Sequence, residues 1–116
     1  MDRKVSGFFA EDYAAKLLTL KGYKILKRNF WTPFAEVDII ATKDRVLVFV
    51  EVKARWSSKF GKPEEAVNFR KLERIRRAGE LFALQNKKLF KKMRIDVVSL
   101  VFEKNKLVSQ RIINVF

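Results

Sequence analysis

The sequence predicts an α/β domain, a mixed central sheet flanked by helices, in the order helix, three strands, helix, two strands. Three observations predict it. Two segments, 6–21 and 63–85, repeat apolar residues at helical period. Five shorter segments are rich in β-branched residues or alternate apolar with polar. The segment RVLVFVEVK (45–53) is apolar on both faces in its first half, which marks a strand covered on both sides and therefore central. With 116 residues, 48% of them hydrophobic, four Gly and two Pro, the chain reads as a single domain, 1–116, with no linker or repeat.

The first helix, SGFFAEDYAAKLLTLK, is expected to be capped by Ser6 and stopped by Gly22. Phe8, Ala14, Ala15 and Leu18 form its apolar stripe. Glu11 falls within that stripe, and a carboxylate on a buried face needs a partner or a metal. YKILKRNF (23–30) is the first strand, Pro33 breaks the chain, and EVDIIAT (36–42) and RVLVFVEVK (45–53) are the second and third. The second helix opens on Pro63 and two acids, which suit a first turn, and buries Val67, Leu72, Ile75, Ala78 and Phe82. NKKLFKKM is a basic loop. RIDVVSLVF (94–102) and KLVSQRIINVF (106–116) form a hairpin turning at 103–105.

Charge and composition narrow the chemistry. Twenty-six Lys and Arg against thirteen Asp and Glu give a net charge of +13, a field that draws polyanions, nucleic acid first. Absence of His and Cys excludes His-based triads, thiolate sites and the common zinc sites. It also fits a cytoplasmic protein. A resident metal would be a hard cation on carboxylates, Mg2+ or Mn2+. No apolar run approaches the roughly 20 residues of a membrane span, and the N-terminus lacks the apolar core of a secretory signal.

A tight turn around Lys43–Asp44 would pair Ile40 with Leu47, Asp38 with Phe49 and Glu36 with Glu51. Asp38, Glu51 and Lys53 would then share one face, the two carboxylates about 5–8 Å apart at the backbone. A three-residue loop would reverse the parity. Paired carboxylates repel, so one must protonate unless a cation lies between them. Such a cation suits phosphodiester hydrolysis, as a Lewis acid that also acidifies water, while Lys53 orients the water or offsets charge developing on phosphorus. The bland reading is a cross-strand salt-bridge ladder.

These stretches, SGFFAEDYAAKLL, LKGYKILKRNF, AEVDIIATKDRVLVFVEVKAR, FGKPEEAV, KLERIRRAGELF and RIDVVSL, resemble in order the motifs of the YraN family of small bacterial proteins. That family is similar to archaeal Holliday-junction resolvases and to the restriction-endonuclease-like superfamily, whose D…ExK metal site stands on an αβββαβ core. The resemblance implies a restriction-endonuclease-like core with Asp38 and Glu51 as metal ligands, Lys53 as the catalytic lysine, and Glu11 as the first-helix acid that joins the metal site, directly or through water. It also implies Glu36 in support and Arg55 on a phosphate. The loop before Glu36 departs from the family pattern: Trp31 and Pro33 stand where basic residues are usual, and Phe34–Ala35 replace a Gly pair.

The remaining basic residues extend this reading. Arg70, Arg74 and Arg77 share one side of the second helix, flanked by Lys71. Lys59 and Lys62 follow the ExK strand and could guide a phosphate backbone. Trp56 and Phe60 stack on unpaired bases or, equally, anchor the loop. Arg76 reads as a solvated charge. The expected function is nucleic-acid binding and Mg2+- or Mn2+-dependent cleavage of branched or structured DNA. The alternative is a non-catalytic nucleic-acid-binding module that keeps the nuclease fold. A more remote rival is an interaction protein whose carboxylates serve only the fold. The apolar C-terminal strand, RIINVF, offers an edge on which a homodimer could form.

Overall fold

A computed structural model describes residues 3–57, 59, 61–86 and 92–115. The elements run α1 (Arg3–Leu20), β1 (Lys24–Trp31), β2 (Glu36–Lys43), β3 (Val46–Arg55), a 3-10 turn (Pro63–Ala66), α2 (Phe69–Asn86), β4 (Lys92–Glu103) and β5 (Lys106–Asn114). Phe60 and the basic loop at 87–91 lie outside the described residues.

The five strands form one sheet in the order β1-β2-β3-β4-β5. β1, β2 and β3 pair antiparallel, β3 and β4 parallel, and β4 and β5 antiparallel. The parallel pair needs a crossover, which the 3-10 turn and α2 supply. β3 is central, and its alternation divides the core. Val48 and Val50 pack with Ala10, Ala14, Leu17 and Leu18 of α1, while Leu47 and Phe49 pack with Ile75, Ala78 and Phe82 of α2. Both faces of β3 are thus covered, as its two-sided apolar sequence requires.

Helix ends differ from the sequence expectation. α1 begins at Arg3, so Ser6 lies inside it rather than at its N-terminus. Its C-terminus is as read: Gly22, at φ 91°, donates to Thr19 O, and Tyr23 N donates back to Leu18 O at 2.9 Å, a paired closure that favours glycine. The second helix is not continuous from 63. Pro63 opens the 3-10 turn, and α2 starts after Asn68, whose Oδ1 accepts the N–H of Lys71 at 2.9 Å. A side-chain cap of this kind restarts the helix two residues past the turn. Among the described residues no helix is long and apolar enough to cross a membrane.

Candidate functional site

β2 and β3 pair from Lys43↔Val46 to Ile39↔Val50, and there the backbone ladder ends. One residue further, Asp38 Oδ2 accepts the N–H of Val52 at 2.8 Å, so a side chain takes the place of the next backbone partner. The expected register is corrected by two positions. The turn residues are Asp44 and Arg45, both with positive φ (51° and 67°), the pattern of a two-residue hairpin loop. Ile40 therefore faces Phe49, and Asp38 stands level with Glu51. Val37 and Ile40 pack on the α2 side while Ile39 packs on the α1 side, so the alternation of β2 is broken at Asp38. Asp38 and Glu51 nevertheless line one cleft, and Lys53 reaches Glu51 within it.

Glu51 is only 4% exposed. Two ammonium groups converge on its Oε1, Lys71 Nζ at 2.9 Å and Lys53 Nζ at 3.6 Å. Lys71, expected on the outer basic flank of α2, instead turns inward to this acid. The N-cap at Asn68 fixes the first turn from which it reaches. Burial works against the Lys71 charge, but the Glu51 carboxylate outweighs it and the Lys71 pKa is raised. Lys53 is pushed the other way, by burial and then by neighbouring Lys71. The Asp38 carboxyl is pushed up to about 7, first by burial and then by the charge of Glu51, against the pull of the Val52 N–H. Burial therefore, more than unbalanced charge, holds the Asp38 proton in place.

Glu11 approaches from α1 but is directed elsewhere. Arg28 Nη2 lies 4.0 Å from Glu11 Oε1 and 2.8 Å from Asp12 Oδ1. With its amide oriented nitrogen toward the acids, Asn29 donates to Glu11 Oε1 at 2.8 Å and Glu36 Oε1 at 3.1 Å. Asn29 has φ 53° and lies across from Asp38, between the Arg28↔Ile39 and Phe30↔Val37 pairs. Burial raises the Glu11 pKa, with Arg28 opposing and Glu36 adding, and the charge of Glu11 in turn raises that of Asp38. Among the described residues no three acids gather around one point. Glu11 is thus electrostatically joined to the fork, but its carboxylate is held by Arg28 and Asn29.

A cleft of ≈ 500 Å³ opens over the fork, walled by Glu36, Asp38 and Glu51 on the strands, Phe34 and Ala35 on the preceding loop, and Asn68, Arg70, Lys71 and Arg74 at the start of α2. Arg70 and Arg74 stand exposed at its rim as expected, and Arg76 is tied to Glu73 and Glu80 on the solvent side. Arg55, Trp56, Lys59 and Lys62 are not part of the wall. Arg55 is half-buried, and its Nε has no hydrogen-bond partner among the described residues. Lys59 and Lys62 are exposed. Trp56 stacks on Phe102, centroids 4.5 Å apart and planes 15° from parallel, which favours its role as an anchor of the loop. Asn29 and Asn68 were missed in the sequence. Asn68 directly before the apolar period of α2 was the legible signal, whereas Asn29 in mid-strand gave none.

Donor chemistry can be tested against the cation the sequence implies. As metal donors the fork offers only hard oxygens, from two carboxylates, of which Asp38 is raised in pKa chiefly by burial and Glu51 is paired with Lys71 and Lys53. Mg2+ and Mn2+ are commonly held by one or two carboxylates, with water and phosphate oxygens completing the shell. Asp38 and Glu51 fit that donor set.

The family model for "Uncharacterised protein family UPF0102" matches residues 10–100. Similar proteins, each described as a UPF0102 protein, include one from Syntrophomonas wolfei, 44% identical over 116 residues and all of both chains. Another, from Dictyoglomus thermophilum, is 42% identical over 105 residues, 90% of this chain and 89% of the relative. A third, from Clostridium perfringens, is 45% identical over 100 residues, 85% of this chain and 81% of the relative. A matched core containing the whole fork, in relatives of nearly the same length, shows that this chain belongs to the UPF0102 (YraN) family.

Proposed function

We propose that this protein is a divalent-metal-dependent endonuclease that hydrolyses phosphodiester bonds in branched or otherwise structured DNA, on a restriction-endonuclease-like core. The observation that carries the reading is the fork. Asp38, Glu51 and Lys53, distant by up to fifteen positions in sequence, meet where β2 and β3 part, beneath a cleft rimmed by arginines.

In this reading Asp38 and Glu51 hold Mg2+ or Mn2+. When bound, such a cation supplies Lewis acidity toward a phosphate oxygen and acidifies water. Asp38 is aimed by the Val52 N–H and does not have to be ordered on binding. Lys53, its pKa lowered by burial and by Lys71, orients the attacking water and offsets charge developing on phosphorus. Arg70 and Arg74 hold the neighbouring phosphates, and Arg55, Lys59 and Lys62 extend the positive surface. Glu11 tunes Asp38 through its charge. A branched substrate offers paired cleavage points, and β5, at the edge of the sheet, is where a second copy would pair to form a homodimer.

The test uses labelled four-way junctions, flaps, duplexes and single strands, with Mg2+, Mn2+ or chelator. Metal-dependent cutting that disappears in Asp38→Asn and Glu51→Gln supports the enzyme. One observation favours a second reading, a non-catalytic binding module: Lys71 already occupies Glu51 at 2.9 Å, as a built-in counter-charge. Tight binding without cutting under any metal selects that module.

A further inference from the structure

Beside the cleft over the fork lies a second depression of ≈ 690 Å³, walled by Pro33, Phe34, Phe69, Arg70, Glu73, Arg74 and Arg77. Phe34, Arg70 and Arg74 belong to both, so the two form one continuous surface. Its aromatic rings are unusually open. Phe34 is 45% exposed and Phe69 71% exposed, and Trp31, just before the same loop, is 72% exposed. Neither phenylalanine packs into either core cluster. The Arg77 guanidinium lies 5.9 Å from the Phe34 ring centroid, which holds that ring beside a cation.

We infer that this second depression receives unpaired nucleotides next to the scissile phosphate, the bases stacking on Phe34 and Phe69 and the phosphates meeting Arg70, Arg74 and Arg77. Aromatic faces alternating with arginines are the means by which single strands are gripped without regard to sequence. A duplex keeps its base faces stacked on one another and has nothing to offer such rings. An arginine-lined surface also disfavours an apolar protein segment as the occupant. The inference deepens the proposed function and rests on it for the position of the scissile phosphate. It makes the preferred substrate one with a single-stranded stretch at the cut, a flap or an opened branch rather than a closed duplex.

Fluorescence anisotropy in chelator, where no cutting occurs, separates the two readings. Labelled oligothymidylate, a flap and a blunt duplex are titrated with the wild-type chain and with Phe34→Ala, Phe69→Ala, Phe34→Leu, Phe34→Trp and Arg74→Ala. Each alanine at a ring should weaken single-strand and flap binding about 10-fold and leave blunt-duplex binding unchanged. Leucine should not restore what tryptophan does. Arg74→Ala should weaken all three and lower the salt slope by about 1. Equal affinity for single strand and duplex, or ring variants that bind single strands like wild type, overturns the inference. A chain that never cuts but shows the ring-dependent preference retains it and loses only the nuclease reading.

Discussion

At the scale of single residues the account turns on Asp38. Its pKa is raised from an ordinary 3.8 to about 7. Between those values the folded chain keeps a proton that the unfolded chain has released. Its contribution to stability is therefore greatest below about pH 4, is lost as pH rises toward about 7, and is flat above. Thermal melts of the metal-free protein from pH 4 to 8 should show this decline, and Asp38→Asn, which retains an acceptor for the Val52 N–H, should flatten it. A wild-type profile unchanged by that substitution would refute the assignment. Lys71 makes the complementary prediction. Removing it leaves buried Glu51 with only Lys53 at 3.6 Å. Lys71→Ala should cost about 1–2 kcal/mol, a modest value because the lysine side chain is more than a third exposed. Mn2+ should then raise the melting temperature more in the variant than in the wild type, because it replaces the missing charge. Equal shifts would show that Lys71 and the cation do not compete.

Elements explain what the sequence could and could not reveal. The two-sided apolar pattern of 46–50 placed β3 at the centre. The break in β2 alternation at Asp38 left no mark in the sequence, but the shared side of Glu51 and Lys53 was legible because side-chain period is two. Register was not, since Lys43–Asp44 and Asp44–Arg45 are both plausible turns and only the backbone's positive φ values choose between them. The break before α2 was missed because Pro63 and the following acids imitate a helix start, whereas the cap is Asn68. Lys71's inward turn is a tertiary event that helical periodicity cannot contain. α2 also has a contact that propensity would misjudge. A Cβ on Gly79 would lie 2.3 Å from Cε2 of Phe49, a ring only 2% exposed. Gly79→Ala, which helix propensity alone would favour by about 1 kcal/mol, should instead destabilise by roughly 1–3 kcal/mol through overpacking. A chemical-denaturation midpoint at or above wild type would contradict the packing of α2 on β3.

Over the whole molecule the excess of thirteen positive charges sets the range of action. Nucleic-acid affinity should fall steeply with salt, since each phosphate neutralised contributes about 0.9 to the slope on duplex and about 0.7 on single strands. A slope near zero would remove the electrostatic argument for a polyanionic partner. On the proposed function, that field draws a phosphate chain to the surface, the arginines of α2 lead it to the cleft, and Asp38 and Glu51 at the fork receive a hard cation. Calorimetric titration of Mn2+ into the protein at pH 8 tests that last step most directly. Saturable binding that vanishes in both Asp38→Asn and Glu51→Gln, with the folded state of each variant intact by circular dichroism, is the predicted result. Absence of binding by the wild type, or binding that survives both substitutions, would contradict it.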